Sequence, residues 1–202
     1  MKNDKVIIII FVIIGLSLFG TLFYKLYNDF LVPKVENKEI SSISLYGYTL
    51  KKNDNDLYKT NFKELEKVLN EDIVDYEEYA KLISKLFVID VFTLNNKFAS
   101  TDIGGIQYLH NDIKDNFKEN MGATLYKFVE SNVDGKREQI LPEVSSVEVD
   151  NVFETKFTYN EKEYPAYLVT LSYDYVSDLG YQNNIKLTVI NDDNILYIVK
   201  GE

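Results

Sequence analysis

Hydrophobic and polar positions alternate along this chain with three different periods, and each period predicts a different kind of element. Residues 6–23 carry no charge, and Val6, Ile10, Ile14, Leu18 and Phe23 mark the length of that apolar run. At about 1.5 Å per residue, such a run is long enough as a helix to cross the roughly 30 Å hydrocarbon layer of a bilayer. Further on the apolar positions fall three and four apart. Phe62, Leu65, Val68 and Leu69 form one such stripe, with Asn61 and Glu64 offering a cap and its third-position partner. A second start signal, Asp75 with Glu78, precedes Tyr79, Leu82, Ile83, Leu86, Phe87 and a nearly unbroken apolar stretch to Leu94, which predicts the principal buried helix. A third helix is predicted from Asn111 and Asp112 to about Asn132, with Ile113, Phe117, Met121, Leu125, Phe128 and Val129 on its apolar side.

Beyond Pro142 the period falls to two. Residues 144–157 and 164–176 read as strands joined at residues 160–163. Two more, at 181–190 and 195–199, are separated by the turn residues of 191–194. Tyr167, Val169, Leu171, Tyr173 and Tyr175 share one face, while Thr170, Ser172 and Asp174 share the other, so the sheet should be covered on one side. Helices first and an antiparallel meander last predict an α+β fold: about three helices packed on a curved four-stranded antiparallel sheet. The domain reading is a short tail and anchor over 1–27, a juxtamembrane stalk over 28–50 containing Pro33, and a folded body over 51–202.

Composition sharpens the picture where it touches location and partners. Lys2, Lys5 and Lys25 against Asp4 give residues 1–27 a net +2, so of the total −10 the remaining residues carry −12. Arg137 is the only arginine, and a chain that tracks nucleic-acid phosphates needs clustered cations, so no direct nucleic-acid binding is expected. The chain has no cysteine, which excludes disulfides, thiolate metal sites and cysteine nucleophiles. The apolar run continues into Phe23, Tyr24, Lys25, Leu26 and Tyr27 rather than into small residues of a cleavage site, which predicts an uncleaved signal anchor. A single-pass protein of the cell membrane follows, with the short tail inside and the carboxy-terminal domain outside the cytoplasm.

The chain contains no reaction signature. His110, followed by Asp112 and Asp115, is the one residue with an ordinary titration near neutrality, and its bland reading is a polar helix-entry residue. Asp90, among Val88, Ile89, Val91 and Phe92, could act as a buried base with a raised pKa, but a helix face turned towards solvent or a carboxylate satisfied by a structural hydrogen bond is the preferred reading. Asp54 with Asp56, and Asp192 with Asp193, lack the graded ligands and terminal Glu of a calcium loop and read as solvated turns. Gly104 and Gly105 lack the basic residue of a phosphate loop and read as a sharp turn. No catalytic residue, cofactor or metal is assigned. Core packing under the helices accounts for most of the tyrosines of the strands, and an exposed subset, Tyr173, Tyr175 and Tyr181, forms the leading contact hypothesis, as an aromatic surface for a protein or glycan.

The anchor at 6–23, the aromatic helix from Tyr76, Glu77, Glu78 and Tyr79 to Leu94, and the terminal strands together resemble the nuclear-transport-factor-2-like superfamily. They resemble above all its membrane-anchored version, the inner-membrane scaffold family of type IV secretion and conjugation systems. That resemblance implies a cone-shaped domain that self-associates as a homo-oligomer or docks other subunits of a membrane complex, with the lipid bilayer as a further partner. The Asn-, Ile- and Lys-rich composition resembles that of proteins from AT-rich Gram-positive bacteria. The expectation is a noncatalytic assembly module. The alternatives are a tethered ligand-binding or enzymatic domain with a cone-shaped pocket, and an envelope-associated sensor.

Overall fold

The computed structural model describes Gly15, Ser17, residues 19–24 and residues 38–202, which fall in two units, Glu36–Asn132 with Arg137–Glu202 forming the larger. In the smaller unit Gly15, Ser17 and residues 19–24 are helical, with Phe19, Leu22, Phe23 and Tyr24 exposed. Val6, Ile10, Ile14 and Leu18 lie outside the described residues, so the predicted span falls largely there. Among the described residues no helix is long and apolar enough to cross a membrane.

The larger unit opens with a hairpin of β1 (Glu39–Ile43) and β2 (Tyr48–Lys51), turned through Gly47 at φ 72°. Ile43, Tyr48 and Leu50 are buried in the main core, so the folded body begins ahead of the stalk boundary drawn at residue 50. Helix α1 (Asp56–Leu69) follows at once. Its cap is Asn55, whose side chain accepts the Tyr58 amide at 2.9 Å, and Asp56 places an acid in the first turn. Asn61, read above as the cap, is instead a buried helical residue whose amide donates to the Leu57 carbonyl at 2.9 Å. The helix starts earlier because Tyr58 extends the stripe of Phe62, Leu65 and Leu69 by one turn.

Helix α2 (Tyr76–Phe92) is capped as read, Asp75 accepting the Glu78 amide at 3.0 Å. It runs through the middle of the body with ten buried residues. Each fully buried Leu, Ile or Phe contributes about 1.5–3 kcal/mol of apolar burial. A single 3-10 turn (Ile106–Tyr108) leads into α3 (Asn111–Ala123). That helix is shorter than read: it stops at Thr124 (φ −121°, ψ −97°), just after Gly122. Tyr126 then turns inward, fully buried, and its hydroxyl donates to the Val91 carbonyl at 2.7 Å. Leu125 and Phe128 therefore sit in a turn and Val129 in the irregular segment after it, although their spacing suits a helix.

Strands β3 (Val144–Tyr159), β4 (Lys162–Tyr175), β5 (Asn184–Asp192) and β6 (Ile195–Gly201) form one antiparallel sheet in that order. Two-residue turns close the outer hairpins, with Asn160 and Glu161 at φ 48° and 65° and Asp193 and Asn194 at 53° and 69°. Paired positive φ values give the turn whose twist matches the flanking strands. Val169, Leu171 and Tyr173 of β4 are buried against the helices, while Thr170, Ser172 and Asp174 face the other way. The architecture is α+β, helices over one face of a four-stranded antiparallel sheet.

The two middle strands are flanked by β3 and β6, whose outer edges need cover. At β6 two tyrosines from other elements provide it: the Leu196 amide donates to the Tyr79 hydroxyl at 3.3 Å, and the Tyr48 hydroxyl donates to the Leu196 carbonyl at 3.2 Å. The two hydroxyls also meet at 2.6 Å. One residue pair further along, the His110 amide donates to the Ile198 carbonyl at 3.1 Å. Side chains and one turn thus take the hydrogen bonds that a fifth strand would otherwise make.

Candidate functional site: an apolar cleft beside a sealed ionic staple

Helix α3 carries Ile113, Phe117 and Met121 on one face, yet none of its residues is fully buried. A cleft of about 360 Å³ lies against them, bounded by Phe87, Val91 and Phe92 of α2 and by Ile185 and Ile198 of the sheet. Phe87 and Phe117 meet at 5.8 Å between ring centres. Asn116, Asn120, Gln182, Lys200 and Glu202 supply the polar part of the lining. Lys200 and Glu202 pair with each other, and the lysine holds the Glu202 carboxyl below its ordinary value. The lining therefore offers apolar area, amide groups and one lysine–carboxylate pair.

The strongest electrostatics lie elsewhere, beneath the turn at Gly104 and Gly105. Asp90 leaves α2 with one carboxylate oxygen 2.5 Å from Lys97 Nζ and the other accepting the Gly105 amide at 2.7 Å. The two side chains are 16% and 5% exposed. Desolvation alone would raise the Asp90 carboxyl, but Lys97 and the Gly105 amide outweigh it and hold the group below its ordinary value. The same pairing lifts Lys97 above the ordinary lysine value against its own burial. Of the readings of Asp90, the carboxylate satisfied by structural hydrogen bonds is what the fold contains, and the base with a raised pKa and the solvent-facing residue are not.

The two glycines are required for this contact. A side chain at Gly104 would begin 2.1 Å from the Asp90 carbonyl oxygen, and one at Gly105, whose φ is 77°, would begin 2.5 Å from Val91. Nearby, the hydroxyls of Tyr58 and Tyr108 meet at 2.5 Å, and Gln107 donates to Tyr58 at 2.6 Å. Asp54, read above as part of a solvated turn, is instead buried with its carboxylate on the Lys51 amide at 2.7 Å, and desolvation raises its pKa.

His110 is the cap of α3, with Nδ1 facing the Asp112 amide at 3.4 Å and the Asp112 carboxylate at 3.5 Å. Tyr159 and Tyr197 stand edge-on to its ring at 5.2 and 5.5 Å. It lies outside the cleft lining, so the structure does not bring it to the cleft's apolar surface. Asp192 pairs with Lys162 at 3.2 Å. Among the described residues no group of three or more His, Cys, Asp or Glu side chains is placed to hold a metal ion.

Tyr173, Tyr175 and Tyr181 do come together. Ring centres lie 5.8 Å apart for the first pair and 6.1 Å for the second. Tyr173 is buried and stacks on Phe92 at 5.1 Å, whereas Tyr181 is 37% exposed. Reasoning from sequence did not find Lys97, the partner that decides the state of Asp90. The only trace was a lysine placed between Leu94 and Phe98 where no turn or cap demanded one. The spacing gave α3 an apolar side, but periodicity does not say whether the space under that side is filled.

No family model matches the chain, and no curated protein or solved structure does either.

Proposed function

We propose that the protein is a membrane-tethered, noncatalytic assembly module of the inner-membrane scaffold type, with a nuclear-transport-factor-2-like body that supplies contacts within a secretion or conjugation complex. The observation that carries this reading is the uncharged run of residues 6–23 ahead of a folded body of net negative charge. Two further features support it. The buried ionic groups satisfy one another rather than converging on open space, and the acidic balance disfavours nucleic acid as a direct partner. The partners on this reading are the bilayer, other subunits of the complex and further copies of the chain. The single crossing has its tail inside and its body outside the cytoplasm.

The absence of cysteine makes topology directly testable. Glu154→Cys places a thiol on an exposed strand position, and Asn3→Cys places one ahead of the apolar run. In intact cells a membrane-impermeant maleimide should label the first and leave the second unlabelled until the membrane is opened. Equal labelling of both, or of neither, contradicts the tethered arrangement. A second reading, a tethered binder of a small apolar ligand, is favoured by one observation only, the 360 Å³ cleft under α3.

A further inference from the structure

The turn between β4 and β5 builds a notch of about 230 Å³ whose lining includes Tyr173, Tyr175, Asp178 and Tyr181. Its walls are rings: Tyr175 and Tyr181 meet at 53° with centres 6.1 Å apart, forming a corner rather than a closed stack. The Tyr175 wall is held from behind. The Tyr175 hydroxyl donates to the Gln182 carbonyl at 2.8 Å, and Tyr173 stands edge-on to Tyr175 at 75°. Asp178 stands beside them with one carboxylate oxygen accepting the Gly180 amide at 3.0 Å, in a turn that Gly180 allows at φ 75°. The Tyr173 hydroxyl, part of the same lining, is buried and takes no donor, its own proton facing the Tyr175 oxygen.

Three demands therefore converge on one small volume. Aromatic faces attract a cation, a carboxylate balances its charge, and a buried oxygen lacks a hydrogen-bond donor. A quaternary ammonium meets the first two and cannot meet the third, because it has no N–H. A primary ammonium on an aliphatic stem meets all three, with the stem lying along the rings and its N–H groups reaching Asp178 and Tyr173. We propose that this notch receives the side chain of a lysine from a protein partner, anchoring that partner to the β4–β5 turn. The identity of the carrier rests on the assembly reading above; the chemistry of the notch does not. The negative balance of the body steers such a cation toward it, and Val176 and Leu179 stand exposed in the same turn as apolar surface around the anchor.

The test uses the full chain in non-ionic detergent micelles with carbon-13 in the tyrosine rings, the signals of Tyr175 and Tyr181 being assigned by Tyr→Phe substitution. Titration with Nα-acetyl-lysine amide should move both signals saturably, with half-saturation on the order of 10 mM. Tetramethylammonium should move them at least about fivefold less at equal concentration, and Asp178→Asn, which keeps an oxygen for the Gly180 amide, should weaken the lysine response about tenfold. Tyr181→Ala, at a position partly in solvent, should weaken it about fivefold. An unsaturable response to the lysine amide, an equal response to tetramethylammonium, or an unchanged response in Asp178→Asn overturns the proposal. Because the probe is a small molecule read on the isolated chain, these outcomes are independent of whether the thiol-labelling experiment supports tethering.

Discussion

Replacing Lys97 by methionine isolates the term on which the middle of the fold depends. The substitution keeps an unbranched side chain of similar length and removes only the charge facing Asp90. The carboxylate, 16% exposed, then retains a single strong partner, the Gly105 amide at 2.7 Å. Stranding one member of a buried pair costs about 3–5 kcal/mol. For a body of this size each kcal/mol lowers Tm by about 2–4 °C, so a fall on the order of 10 °C is expected. Asp90→Leu combined with Lys97→Met removes both charges and leaves only the Gly105 amide without an acceptor, a loss of about 1–3 kcal/mol. The double variant should therefore be more stable than Lys97→Met alone. The pH dependence has a definite sign. In the parent chain the Asp90 carboxyl is held below its unfolded value, so its contribution is present above about pH 4 and is lost as pH falls through the lowered folded value. In Lys97→Met desolvation acts with little opposition and raises the group, so the deficit should shrink as pH falls from 7 toward 4. Reversible urea denaturation followed by far-ultraviolet circular dichroism at several pH values reads all three quantities. A single variant within about 1 kcal/mol of the parent, or a double variant as unstable as the summed singles, refutes the reasoning.

Gly104→Ala should destabilise by at least about 2–3 kcal/mol, since the new carbon starts 2.1 Å from a backbone oxygen; urea denaturation measures it. Tyr79→Phe leaves the Leu196 amide without its acceptor and should cost about 1–3 kcal/mol, with faster hydrogen exchange localised at Leu196. Alkali should unfold the body from about pH 10 upward: burial raises Tyr126 to about 12, so its contribution is complete below the unfolded value near 10 and disappears as pH rises through 12. Lys97, raised above the ordinary lysine value, loses its contribution in the same direction at higher pH, and a spectroscopic pH titration shows the onset.

Sheet order and helix count were legible because local signals agreed with the tertiary outcome. Asp75 and Glu78 mark a helix start by satisfying the same amide that the fold satisfies, and Asn160, Asp193 and Asn194 are types that tolerate positive φ, whereas Glu161 is carried into it by the turn. The misplaced boundaries have a common cause. Asn61 looked like a cap because asparagine caps helices, but a helical amide can also turn back to the carbonyl four residues earlier, as Asn61 does to Leu57. The end of α3 escaped because Leu125, Phe128 and Val129 keep a helical spacing, while the decisive contact, Tyr126 to Val91, joins residues far apart in sequence. The Asp90–Lys97 staple escaped although its members are only seven residues apart. A carboxylate's state depends on what closes over it, and here that is a loop folding back with two glycines. The cleft lay beyond reach in principle, since an apolar stripe reads alike over filled and unfilled space.

Tethering of the folded body is the claim on which the functional account stands, and alkaline carbonate extraction of membranes from cells expressing the intact chain tests it most directly. The account expects the chain to remain in the membrane pellet at high pH, to be released by detergent, and to move to the supernatant when residues 6–23 are deleted. Release of the intact chain by carbonate alone contradicts it.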